Sequence, residues 1–306
     1  MLLLKWSELM LKKFFTVLVI FCWPIFLQSC SVTSQTEEKS TTTKKPEIPD
    51  LNSEAISSVD PHAMHHPADN MKDNNIDTKV QLIEPPNINA NQPVKLAIAI
   101  KDNQDKPISK FETFQEKLMH FILVSDNLQS FNHLHPQYKQ NGKFEVLVNF
   151  PKSGKYTIFV DYKPLGKKEQ VSVVKTQVNG NNNFATDIDL NQSKIFANTK
   201  VNLSLSQPTI SAKEEVKLTF NLQDIANNQI ITDLKPYLGE KGHLVIVKQS
   251  SPLTVADYIH AHAIKNTPAG QVQFMTSFPQ PGKYKLWGQF NRNGQIITAD
   301  FWVNVI

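Results

Sequence analysis

Cysteine is almost missing from this chain: the two present, Cys22 and Cys30, both fall within the first 30 of 306 residues. The remainder can form no disulfide and no thiolate metal site, so a metal held there must use imidazole, carboxylate, thioether or backbone oxygen. Multi-copper oxidation, which needs cysteine-containing sites, is excluded for the same reason. Arginine is scarcer still. Arg292 stands alone among 32 basic residues and the formal net charge is only +4, so the forked guanidinium chemistry that reads phosphates and bases is missing and nucleic acid is excluded as a partner. No segment keeps a helical period over three turns, which argues against an α fold. There is no Walker loop, nucleophile elbow, H-E-x-x-H or acid pair, and the chain is expected not to be an enzyme.

Long apolar runs are also few. The clearest, FFTVLVIFCWPIFL at residues 14–27, follows Lys12 and Lys13 and has the length of a signal-peptide core. Leu27, Gln28, Ser29 and Cys30 come next and resemble the bacterial lipobox. That resemblance implies a lipoprotein signal peptide over 1–29, with Cys30 carrying the lipid that holds the mature protein on a membrane. The expected location is the bacterial cell envelope, facing periplasm or exterior. Residues 30–78 are poor in large apolar side chains and rich in Ser, Thr, Lys, Asn and Pro, the composition of a disordered tether. Within it HAMHHPADNM brings His62, Met64, His65, His66 and Met71 together, and thioethers beside imidazoles favour Cu(I) over zinc.

From residue 79 the chain repeats itself. QPVKL near Pro93 corresponds to EEVKL near Val216, FPKSGKYTIFVDY from Phe150 to FPQPGKYKLWGQF from Phe278, and HLH at 133–135 to HAH at 260–262. The reading is therefore all-β, with two tandem immunoglobulin-like β-sandwich domains over 79–180 and 198–306 and a connector at 181–197. Phe144, Val146, Val148 and Phe150 lead to P-K-S-G, after which Tyr156, Ile158, Val160 and Tyr162 return, and the second copy does the same around P-Q-P-G. Both read as hairpins. Phe159 and Trp287 fall on the opposite face of the returning strand, either covered by packing or set against a partner or the other repeat.

All nine histidines lie in three triplets: 62, 65, 66; 120, 133, 135; and 243, 260, 262. If neighbouring strands pair 120 with 135 and 122 with 133, the three imidazoles of the first repeat converge, since alternate residues share a face. Pairing 243 with 262 and 245 with 260 does the same in the second. Three neutral imidazoles suit copper, with zinc as the alternative, and leave a position open. His120, His133, His135, His243, His260 and His262 are thus candidate ligands of two paired three-histidine sites. The bland alternative is that they are structural, bonded to loop carbonyls at the sandwich end.

The runs MHFILVSDNLQSFNHLHP, FPKSGKYTIFVDY and GHLVIV…HAH resemble the exported YtkA-like β-sandwich family and its lipoprotein relatives, and more loosely the CopC-type periplasmic copper carriers. The resemblance implies a lipid-anchored copper-binding protein that buffers the ion or exchanges it with a donor or acceptor protein of the envelope. The competing reading is a non-catalytic interaction lipoprotein whose tandem domains hold an envelope partner.

Overall fold

The computed structural model describes residues 78–180 and 186–306. The signal peptide, Cys30 and the tether donors His62, Met64, His65, His66 and Met71 lie outside the described residues. The first repeat contains β1 (Thr78–Ile83), β2 (Pro93–Asp102), β3 (Met119–Ser125), β4 (Phe131–Leu134), β5 (Gln137–Tyr138), β6 (Lys143–Asn149), β7 (Gly154–Tyr162) and β8 (Gln170–Val178). The second contains β9 (Ser193–Phe196), β10 (Thr199–Leu205), β11 (Glu215–Asp224), β12 (Leu234–Lys235), β13 (His243–Lys248), β14 (Tyr258–His262), β15 (Gln271–Ser277), β16 (Gly282–Arg292) and β17 (Gln295–Val305). Strand β9 lies inside the stretch read as connector and pairs with β10.

Each repeat is an immunoglobulin-like sandwich of two antiparallel sheets. One sheet of the first runs β1-β2-β6-β5 and the other β4-β3-β7-β8; their counterparts are β15-β11-β10-β9 and β14-β13-β16-β17, with β12 also against β16. Alternation along each strand builds the cores. Phe121, Leu123, Ile158 and Val160 face Ile98, Phe144 and Val148 in the first repeat, and Leu244, Ile246, Leu286 and Phe290 face Leu218, Phe220 and Phe274 in the second. At about 25 cal/mol per Å² of apolar surface removed from water, such burial is the main stabilising contribution.

The expected hairpins are not hairpins. Strand β6 belongs to one sheet and β7 to the other, and β15 and β16 are divided in the same way. The connection crosses the sandwich, turning through Gly154 (φ +122°) and Gly282 (φ +139°), a backbone region that strains any residue with a Cβ. Alternation shows which side chains enter the core; it does not show whether two inward faces belong to one sheet or oppose each other.

A third core lies between the repeats. The residues of β3 and β13 that point away from their own sandwiches, Ile122, Val124, Val245 and Val247, are fully buried together with Phe159, Trp287, Tyr258 and Trp302. The β4-β3-β7-β8 sheet therefore packs on its counterpart, giving four stacked sheets. The contacts are reciprocal. Phe131 stacks on Trp287 with ring centroids 4.7 Å apart, and Tyr258, which precedes H-x-H by the same spacing, stacks on Phe159 at 4.8 Å. Reciprocity of this kind is what a twofold relation between two copies produces. Phe159 and Trp287 are covered by packing between sheets, and the sheet that covers each belongs to the other repeat.

Candidate metal centre between the repeats

The strand pairing sets the site. His243 pairs with His262 and Val245 with His260. Ile122 pairs with His133 and Phe121 with Leu134, and the next position brings His135 beside His120, their ring centroids 5.1 Å apart. Because β3 and β13 face each other across the interface, the two triplets do not make two separate sites, as the sequence led us to expect. They form one cluster at the end of the third core: His120 lies 5.8 Å from His243 and 5.5 Å from His260 between ring centroids, and His133 lies 4.7 Å from His243.

The next positions on β7 and β16 complete it. Asp161 is paired with His120, and Gln289 with His243. Each meets a histidine of the opposite repeat: His133 Nδ1 donates to Gln289 Oε1 at 2.7 Å, and His260 Nδ1 donates to Asp161 Oδ2 at 3.0 Å. Sequence reasoning missed both residues, although the polar residue directly after the apolar run of each returning strand, Asp161 after TIFV and Gln289 after LWG, is a visible signal.

A hydrogen bond fixes the tautomer of His133 in the first triplet. With its Nδ1 proton on Gln289, His133 presents a bare Nε2, and this faces His120 Nδ1 at 3.0 Å. His120 has one proton for two contacts: placed on Nε2 it is donated to the Phe114 carbonyl at 3.3 Å and Nδ1 is bare, and placed on Nδ1 it is donated to His133 Nε2 and the carbonyl goes without. In the first tautomer two lone pairs face each other, and in either one His135 Nε2 is buried with no hydrogen-bond partner. Donor nitrogens of His120, His133 and His135 all lie within 4.8 Å of one another. An ion about 2.0–2.1 Å from each of two imidazoles leaves them about 3 Å apart, and ligating histidines commonly give their other N–H to a carbonyl. Both conditions hold here.

The second triplet differs. His260 Nε2 abuts His243 Nε2, but Gln115 from the first repeat occupies the rest, accepting from His243 Nε2 at 2.7 Å and donating to His262 Nδ1 at 2.8 Å. The matching turn in the second repeat, bridged by Tyr237 and Glu240 as Phe114 and Lys117 bridge the first, places Leu238 where Gln115 stands. Leucine can make no such bonds. One related half of the cluster is consequently bridged by an amide, which bonds His243 Nε2 and His262 Nδ1 but leaves His243 Nδ1 without a partner, while in the other no amide enters and His135 Nε2 is the nitrogen left without one.

Burial holds His120, His133, His135 and His243 neutral. Desolvation, assisted by His135, lowers His133 to about 3; desolvation and the Lys117 ammonium lower His135 to about 4. His120 and His243 are pushed far down by the same loss of water and by neighbouring imidazoles. Asp161, wholly buried, rises to about 8, opposed by hydrogen bonds from Glu169 and Tyr258. Neutral imidazole is the ligating form, so these nitrogens stay available to a metal well into acid.

The chain belongs to the family described as a domain of unknown function, DUF8832, whose model matches residues 73–180 and again 194–306. No curated protein matches it. Among solved structures it is similar to the Escherichia coli adhesin FdeC, at 16% identity over 75% of this chain and 64% of that one, with a TM-score of 0.24. It is similar also to trypsin-activated alpha-2-macroglobulin from Escherichia coli (12% identity, 74% and 15% covered, TM-score 0.26) and to two fibronectin type III domains of chicken tenascin (10%, 73% and 97%, TM-score 0.22). The chain thus spans 64% of the adhesin's length and 15% of the macroglobulin's. None of these likenesses bears on the site.

Proposed function

We propose that this is a lipid-anchored protein of the bacterial cell envelope that binds copper at His120, His133 and His135 and buffers the ion or exchanges it with a partner protein. The observation that carries the reading is the convergence of His120 Nδ1 and His133 Nε2, 3.0 Å apart, with the unpartnered His135 Nε2. A cation can take the place of the single proton between these two nitrogens, while the Phe114 carbonyl and the Gln289 amide oxygen hold the N–H of the opposite ring positions. An all-nitrogen set with no thiolate suits copper or zinc. The soft donors His62, Met64, His65, His66 and Met71 tilt the choice to copper, as does the resemblance to CopC-type carriers.

The test is competition for Cu(I) and Cu(II) against chromophoric chelators. His133→Ala/His135→Ala should bind one ion fewer than the wild type, and His262→Ala should bind as many. Equal stoichiometry in all three proteins would return the histidines to a structural role and favour attachment to an envelope partner through the outer sheets.

A further inference from the structure

We propose that the chain holds a second ion, a borderline divalent cation of the zinc type, at Asp161, Glu169 and His260, in a site to which both repeats contribute. One donor atom from each of the three lies within 4.8 Å of the others. Asp161 and Glu169 come from β7 and the residue before β8, and His260 comes from β14 across the interface. Asp161 has no exposed surface, and its Oδ1 has no hydrogen-bond partner while Oδ2 is engaged by His260 Nδ1 and by the Tyr258 hydroxyl at 3.5 Å. Asp161 is also hydrogen-bonded to Glu169, so two carboxyl groups in contact share one proton where a divalent cation would satisfy both, and the buried Oδ1 that still lacks a donor is left for that cation.

The chain contains its own control. Asp161 is equivalent to Gln289. The ladders that pair Tyr162 with Gln170 and Phe290 with Ile297 make Glu169 equivalent to Ile296. The second repeat builds the same sheet, and makes the same cross-interface bond to an H-x-H histidine, with an amide and an isoleucine. Folding therefore does not call for two acids at this place. Two carboxylate oxygens with one imidazole form a donor set that zinc accepts at about 2.0–2.2 Å and that Cu(I) disfavours. His260 Nδ1, now hydrogen-bonded to Asp161, supplies the nitrogen, and the ion takes the place of that proton. This site does not depend on copper binding at His120, His133 and His135.

Zinc titration of the purified protein, read by bound metal after gel filtration and by thermal unfolding, separates the possibilities. Glu169→Gln should bind one zinc fewer than the wild type and lose at least half of the zinc-induced rise in melting temperature, because that ion ties the repeats together. Asp161→Asn should behave alike. Should that buried variant fold poorly, the half-buried Glu169→Gln carries the test. His133→Ala/His135→Ala should retain the Glu169-dependent ion. If Glu169→Gln binds as many zinc ions as the wild type with the same affinity, the site does not exist. If only the histidine double variant leaves stoichiometry unchanged, the triad reading fails while this one stands.

Discussion

His133 donates its Nδ1 proton to Gln289 at 2.7 Å, across the boundary between two copies of one domain. The bond fixes the tautomer of the imidazole, and with it the direction of the lone pair that faces His120. Gln289→Leu keeps the approximate volume and removes the acceptor. Loss of such an outer partner typically lowers metal affinity about 10–100-fold. Chelator competition should find that decrease, with far-UV circular dichroism unchanged.

The interface core should be worth several kcal/mol. Trp287 is 3% exposed and stacked on Phe131, and Phe159 is fully buried against Tyr258. Trp287→Ala and Phe159→Ala should each destabilise by about 3–5 kcal/mol in denaturant unfolding. Both should also weaken copper binding, since the same packing holds β4 and β14 in place.

Stability should fall on both sides of neutrality. His133 and His135 titrate at about 3 and about 4 in the fold against an ordinary 6.5, so the unfolded chain binds more protons across that interval. Folding is unimpaired by these groups above pH 6.5 and is destabilised as pH falls from 6.5 toward 3. Asp161 acts in reverse: raised to about 8 from 3.8, it costs stability as pH rises from about 4 through 8. Each unit of displacement corresponds to about 1.4 kcal/mol. Melting temperature against pH should peak between the two limbs. Asp161→Asn should flatten the alkaline limb and steepen the acid one between about pH 4 and 6.5, where the two contributions overlap with opposite sign.

Metal affinity should be less sensitive to acid than at an exposed histidine site. Protons compete with a metal only near the ligand's own pKa, and these lie at about 4 or lower in the triad. Copper affinity measured from pH 7.5 to 5.5 should change less than threefold. A tenfold fall per pH unit below 6.5 would contradict the burial described here.

Much of this arrangement was legible in the sequence. The duplication and the sandwich class follow from the repeated motifs and period-two alternation, and the register assumed between the strands, 122 with 133, 243 with 262 and 245 with 260, is the one observed. The merging of the two triplets did not follow, because alternation within a strand says nothing about which sheet covers its second face. The runs HFILV at 120–124 and HLVIV at 243–247 carried the missing signal: apolar on both faces, they belong to strands covered on both sides. Gln115 and Glu169 were beyond reach, since each lies in a loop whose path depends on the stacked sheets.

X-ray absorption at the copper edge of the loaded protein, compared with its His133→Ala/His135→Ala variant, tests the central claim most directly. The account predicts about three imidazole nitrogens at about 2.0 Å in the wild type and a changed, nitrogen-poorer shell in the variant. An identical spectrum in both proteins, or a shell dominated by sulfur, would place the ion elsewhere and contradict it.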